Sequence, residues 1–197
     1  MAVLAFPFTF IVWAVLHSAL ASLTAKEFAR RFLGSGHKYY RLAYVVLSLA
    51  SFAALWFFVP KDTTVIYQIQ GLARYLLLAV RIAGLAAFTA AATQFDAGEF
   101  LGWRSAPPAR GLNTGGLFAY VRHPLYLASL VVIWAVGTMT VWWLEFGILA
   151  STYLFLGAVL EERKMVVEFG DAYIEYRKRV PMWLGLRRRR GPENRKP

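Results

Sequence analysis

Polar and apolar positions fall into long blocks along this chain. Five apolar runs cover residues 6–23, 42–59, 72–93, 125–141 and 144–160. The first three hold about 18–22 residues each, near the ~20 that a helix needs to cross a bilayer. Pro60 stops the second. The fourth and fifth are shorter and follow each other closely, so they predict a hydrophobic hairpin that either tilts or stops short of a full crossing. Its tip lies at residues 137–143, where Trp142 and Trp143 suit a membrane interface.

The segments between the runs differ in charge. Lys26, Arg30, Arg31, Lys38 and Arg41 stand against Glu27 between the first two runs, and only Lys61 and Asp62 separate the second from the third. Arg104, Arg110 and Arg122 follow the third run. Most of the remaining basic residues follow the fifth, ending in four consecutive arginines at 187–190. The positive-inside bias assigns the first, third and last segments to the cytoplasm. The predicted fold is therefore all-α: an integral membrane bundle of five transmembrane helices, N-terminus outside, with a cytoplasmic C-terminal helical segment. That segment continues the fifth run as a helix through Glu168. Gly170 ends it, and Asp171 caps a second short helix through Lys178. Met165, Phe169, Tyr173, Tyr176 and Val180 recur at helix-like spacing, for packing or for lying on the membrane surface. One domain, 1–184, is expected, with a catalytic core at 111–181. The basic tail 185–197 is rich in helix breakers and reads as disordered; its arginines suit anionic lipid or simple solvation.

Composition sharpens this picture. The hydrophobic fraction is 58% and the charged fraction 17%, against roughly 45–50% apolar in soluble domains, and the mean hydropathy is +0.47. The net charge of +11 would suggest nucleic acid if it were dispersed; set in blocks between apolar runs it is a topology signal, and no nucleic acid is expected. The first run is followed by positive charge rather than preceded by it, unlike a signal peptide. The absence of cysteine excludes thiol catalysis, cysteine-ligated metal and disulfides. The three histidines lack an H-x-x-x-H spacing, so no metal site is expected.

Candidate chemistry follows from the hairpin. Its ends return to one side of the membrane, so Arg122 and His123 should meet Glu161 and Glu162. Pro124 suits the first turn of a helix, whose free N–H groups favour an anionic group. Adjacent carboxylates cannot share one helix face, so one points inward and the other to water. The cluster either staples the hairpin or forms a site. Gly115 and Gly116 permit close backbone approach or simply make a turn. Arg81, about ten residues into the third run, needs a partner or a substrate group, unless it snorkels outward with Arg74. His17, Gln94 and Asp96 line a substrate cleft or are polar groups satisfied at the interface. His37 is expected to be solvated.

The order R-H-P-x-Y, hydrophobic hairpin, E-E, F-G-x-x-Y-x-x-Y and V-P across residues 111–181, about a third of the chain, resembles the C-terminal core of integral membrane methyltransferases. These are the isoprenylcysteine carboxyl methyltransferases and the related phospholipid methyltransferases. L-H-S-A-L-A-S at His17 and E-F-L-G-W-R at Glu99 resemble bacterial members, some linked to small thiols. The resemblance implies S-adenosylmethionine as cofactor without a Rossmann domain, and no G-x-G-x-x-G follows a strand here. It implies cofactor contacts from Leu112, Gly115, Gly116, Tyr120, Arg122, His123, Tyr126, Glu161, Glu162 and Tyr173, with Tyr176 a further choice and with Arg122, Glu162 and Tyr126 in catalytic positions. By this analogy Arg122 and His123 hold the cofactor's carboxylate, Glu162 or Glu161 holds its ammonium or ribose, and the backbone of 112–116 lies near adenine. Two departures stand out: Ala128 replaces a usual glycine, and Met182, Trp183 and Leu184 replace the segment with a second proline. The implied substrate is lipophilic and enters from the bilayer, with a carboxylate, amine or thiol as acceptor. The implied location is a bacterial or archaeal inner membrane, with the site and C-terminus cytoplasmic. The oligomeric state stays open. A membrane reductase using NADPH and a non-enzymatic scaffold are the alternatives.

Overall fold

Backbone polar groups inside a bilayer must be satisfied within the segment itself, which turns long apolar runs into helices. The computed structural model describes residues 2–101, 103–104 and 111–184. The expectations for Arg110, for the four arginines and for the tail 185–197 lie outside these residues, as do Gly102 and the side chains of Glu99 and Phe100 within E-F-L-G-W-R. The elements are α1 (Ala2–Ala21), α2 (Leu23–Leu33), a 3-10 turn (Gly34–Tyr39), α3 (Tyr40–Phe58), β1 (Val65–Gln68), α4 (Gly71–Ala92), α5 (Ala97–Leu101), a second 3-10 turn (Gly116–Ala119), α6 (Pro124–Trp134), β2 (Thr138–Thr140), α7 (Val141–Phe169) and α8 (Asp171–Arg179).

Among the described residues, four helices are long and apolar enough to cross a membrane: Leu4–Ala21, Gly36–Phe58, Gly71–Ala92 and Val141–Phe169. The chain is a mostly helical, multi-pass membrane protein. The fourth apolar run differs from the others. It contributes to a helix of only 11 residues, α6, about 16 Å long against a hydrocarbon core of ~30 Å. The fifth run instead extends into α7, whose 29 residues span about 44 Å.

The chain divides into two compact units: Met1–Arg74 with Phe95–Pro107 and Gly137–Tyr153, and Tyr75–Gln94 with Pro108–Val136 and Leu154–Pro197. In the first, aromatic edges interlock. Trp142 packs edge-on against Phe6 at 6.0 Å and Trp56 at 5.1 Å, and Phe146 packs against Trp56 at 5.3 Å. His17 is held between helices by the Ser48 hydroxyl at 3.0 Å and the Tyr44 hydroxyl at 2.8 Å, and stacks on Trp13 at 4.9 Å. Of its two expected roles, that of a satisfied polar group is the one these contacts fill.

Two features of this unit differ from the sequence expectation. The first apolar run breaks at Ser22, whose backbone is extended (φ −64, ψ 157) and whose hydroxyl accepts from the Ala25 N–H at 3.2 Å, capping the amphipathic helix α2. The expected hairpin tip carries β2, which pairs antiparallel with β1 through Val65↔Thr140, Tyr67↔Met139 and Gln68↔Thr138. Strands of four and three residues are too short to leave a period-two pattern.

In the second unit α4 and α6 approach closely at Gly84. A Cβ there would stand 2.9 Å from Val131 Cγ1 and 3.2 Å from Val132 Cγ2. Gly84→Val is expected to cost about 1–3 kcal/mol through overpacking, read as a lowered midpoint in thermal unfolding of the detergent-solubilised protein. Gly170, at φ +53, ends α7 as expected. The cap of α8 is also Gly170 rather than Asp171, which sits in the first helical turn. There its carboxylate faces the positive end of the helix dipole.

Candidate active site

Pro124 occupies the first position of α6 and leaves His123 at its N-cap. The preceding residue ties three segments together. The Arg122 backbone N–H donates to the Pro181 carbonyl at 3.0 Å. Its Nε donates to Glu162 Oε1 at 2.6 Å, and its Nη1 donates to the carbonyls of Val180 at 2.6 Å and Arg177 at 3.2 Å. Those carbonyls lie at the C-terminal end of α8, where backbone acceptors lack helical partners and a cation is favoured. The Arg122 and Glu162 side chains are only 10% and 9% exposed. The hairpin therefore brings its basic and acidic ends together, as the polar pattern predicts.

His123 is buried beside this pair. Its Nε2–H donates to Glu162 Oε1 at 3.4 Å, and Nδ1 lies 3.8 Å from Glu161 Oε2. Burial pushes the imidazole below its usual pKa, against the upward pull of Glu161 and Glu162, so the ring is neutral near pH 7. With the Nε2 proton directed at Glu162, Nδ1 carries the lone pair. The ring lies parallel to Tyr126, with centroids 5.4 Å apart and planes 2° apart, and Trp183 stands 5.8 Å away. Glu162 is buried while the Glu161 side chain is 43% exposed, so the adjacent carboxylates divide between interior and water as expected.

The cluster rests on an aromatic layer. Tyr173, Tyr176 and Val180 are buried, with Leu112, Met165, Val166 and Phe169 packed against them. The helical stripe read from the sequence is thus a packing stripe. The Tyr176 hydroxyl donates to the Phe118 carbonyl at 2.6 Å, fixing the loop before Arg122 to α8. Burial pushes both phenols up to about 12, so both stay protonated. Tyr176→Phe removes that bond and is expected to cost about 0.5–1.5 kcal/mol, measurable by thermal unfolding.

A cleft of about 590 Å³ opens beside the ion pair, lined by Arg122, Val159, Glu162, Arg163, Val166, Arg177 and Met182. That size lies within the range of small-molecule and cofactor sites. Arg177 also touches the acid directly, Nε to Glu162 Oε2 at 3.3 Å. Arg163, Arg177, Met182 and Trp183 were not among the site residues expected from the sequence. Arg163 and Arg177 look like ordinary solvated charges on exposed helix faces. Trp183 occupies the position that departs from the family pattern, the only local hint of its place.

The remaining candidates are distributed as follows. Gly116 has φ +55, and a Cβ there would meet Gln94 Nε2 at 2.8 Å. Asn113 joins the same corner, donating from Nδ2 to Gln94 Oε1 at 3.3 Å and accepting from the Gly115 N–H at 3.0 Å. Tyr120 is 66% exposed and does not line the cleft. Ala128 is buried on α6. Asp96 faces Arg104 at 3.5 Å, His37 is exposed and bonded to the Gly34 carbonyl at 3.1 Å, and Arg81 is half-buried on α4.

The family described as "Protein of unknown function (DUF1295)" matches residues 18–180. Methanethiol S-methyltransferase 2 of Bradyrhizobium diazoefficiens is 33% identical over 197 residues, covering 94% of this chain and 75% of that protein. The chain belongs to this family of membrane methyltransferases. The enzyme is likewise 30% identical over 182 residues to methanethiol S-methyltransferase of Mycobacterium tuberculosis, covering 88% of this chain and 74% of that one. A shorter match, 41% over 85 residues, joins it to protein-S-isoprenylcysteine O-methyltransferase of Schizosaccharomyces pombe, covering 38% of this chain and 33% of that one. No solved structure matches the enzyme. Its activity is methyl transfer from a donor, which replaces the reductase and scaffold alternatives.

Proposed function

We propose that the enzyme takes its methyl group from S-adenosylmethionine and delivers it to a small lipophilic thiol that reaches the site from the bilayer. The observation that carries this reading is the buried Arg122–Glu162 pair on the wall of a cleft large enough for a nucleoside cofactor, with His123 buried against Glu162. A thiol is favoured over a carboxylate or an amine because relatives matched along most of the chain are named for methanethiol, whereas the isoprenylcysteine match covers a much shorter part.

The donor set suits such a cofactor. Arg163 and Arg177 give the cleft a basic wall for a carboxylate, and Glu161 and Glu162 offer acceptors to an ammonium or ribose. Gly115 leaves room beside its backbone for a flat ring, whereas the Gln94 side chain fills the space over Gly116 and Leu112 packs on the aromatic layer. Tyr120 stands at the exposed edge of that loop, and Tyr173 lies buried in the aromatic layer with Tyr176. When bound, the cofactor's sulfonium supplies an electrophilic methyl group for in-line displacement. Everything else falls to the chain. Arg122 positions Glu162 and the end of α8. Tyr126 and Trp183 flank the His123 ring and exclude water. His123 accepts the thiol proton at Nδ1, and the carboxylate of Glu161 stabilises the imidazolium so formed. The thiolate left behind would be the nucleophile toward that methyl group, and the donor would leave as a neutral thioether. The concentration of lysine and arginine around the site supports a cytoplasmic location.

The test titrates the purified protein in detergent with S-adenosylhomocysteine and, separately, NADP, following thermal stability. A ligand that binds only the native state raises it. A rise with the first alone, together with transfer of labelled methyl to methanethiol or a short alkanethiol but not to fatty acids or amines, is expected. A rise with NADP alone, or transfer to acids or amines in preference to thiols, would overturn the reading.

A further inference from the structure

Most of the basic segment between the first two spanning helices is the helix α2. At 100° per residue, Ala25, Phe28, Ala29, Phe32 and Leu33 share one face, while Lys26, Glu27, Arg30 and Arg31 share the other. The apolar face is open: Phe28 is 60% exposed, Phe32 72% and Leu33 54%, and the Phe28 and Phe32 rings stack at 4.2 Å. Beneath it runs an apolar groove of about 550 Å³ whose walls include Ala19 and Leu20 of α1, Phe28 and Phe32 of α2, and Tyr40. Tyr40 closes its end by donating a hydrogen bond to the Leu20 carbonyl at 2.8 Å.

We propose that α2 is an interfacial helix, its phenylalanine face and groove sunk among the acyl chains of one leaflet and its basic face bound to anionic phospholipid headgroups. Two observations select the bilayer as occupant. The first is the tether: α2 starts two residues after the span Leu4–Ala21 ends, and the span at Gly36–Phe58 starts three residues after α2 closes. The helix cannot leave the level of the membrane surface. The second is charge. Lys26, Arg30, Arg31, Lys38 and Arg41 flank this face against Glu27, which already bridges Arg30 at 2.9 Å and Arg31 at 3.1 Å. A surplus of cations on the polar face with aromatic residues opposite is the composition of helices that lie in the interface, and anionic headgroups complement it.

The chain has no cysteine, so single-cysteine variants carry a nitroxide label without background. Full-length Phe28→Cys, Phe32→Cys and Arg30→Cys proteins are placed in nanodiscs of phosphatidylcholine with one quarter phosphatidylglycerol, and collision with oxygen and with a water-soluble nickel chelate is compared. Labels at 28 and 32 should collide with oxygen several-fold more than with nickel, and the label at 30 the reverse. Because both phenylalanines lie at the surface, either label can be read without the other. Equal nickel access at all three positions would put the helix in water. Shielding of 28 and 32 from both agents would put protein, such as a second copy, on this face; either result overturns the proposal. In parallel, the Lys26→Gln/Arg30→Gln/Arg31→Gln protein should retain at most half as much phosphatidylglycerol as wild type through detergent washing, with phosphatidylcholine unchanged. Undiminished phosphatidylglycerol would refute the headgroup half.

Discussion

Glu162→Ala is expected to lower stability by about 3–5 kcal/mol, because it leaves the Arg122 guanidinium buried without its counter-ion. The same change strips the cleft of the carboxylate that also meets Arg177 and His123. The stabilising shift with S-adenosylhomocysteine and methyl transfer to thiols should both vanish. Since the alanine variant can fail by unfolding, Glu162→Gln is the decisive companion. It keeps an oxygen for Arg122 Nε and should lose less stability than alanine, measured by thermal unfolding in detergent. It nevertheless lacks the negative charge that pairs with the ligand's ammonium, which S-adenosylhomocysteine shares with the methyl donor, so its ligand-induced shift should still be absent. A glutamine variant that responds fully to S-adenosylhomocysteine would remove Glu162 from the cofactor site and leave it as a staple.

His123→Gln is expected to slow transfer about 10²–10⁴-fold, the usual contribution of a positioned general base, while the shift with S-adenosylhomocysteine persists. The pH dependence provides the sharper reading. Burial holds the His123 pKa below its ordinary 6.5, so the free base is present at neutral pH and is lost only on acidification. Wild-type kcat/KM should therefore fall on an acidic limb below pH 6.5, and the glutamine variant should lack that limb. Stability follows the same direction. Between the lowered native pKa and 6.5 the unfolded chain binds more protons than the native one, so stability is fully present above about pH 6.5 and declines as pH falls through that window. A variant with the wild-type rate and an unchanged acidic limb would assign proton removal elsewhere.

Much of this arrangement is written in the local pattern. Four of the five apolar runs identify helices long enough to span, because a bilayer leaves a backbone few alternatives, while the fourth run forms only the short helix α6. Arg-His-Pro before one run and Glu-Glu after another identify the meeting point, because a chain that doubles back returns its ends together. Other features are invisible at that level. The break at Ser22 turns on one hydroxyl capping α2, and an apolar average taken across it hides the turn. The pairing of β1 with β2 joins residues some seventy positions apart in sequence through short strands. Arg163 and Arg177 look like solvated charges until α7 and α8 bring them onto one wall of a cleft.

The sequence by itself determined a multi-pass helical membrane chain whose Arg-His pair meets its Glu-Glu pair, since hydropathy and charge order act along the chain; the enzyme class came from the family resemblance. Only the tertiary structure decided which carboxylate is buried, that Arg122 braces Glu162 and the end of α8, and that His123 is neutral with Trp183 near it. Burial and proton affinity depend on what neighbouring segments exclude or supply, and those neighbours are distant in sequence.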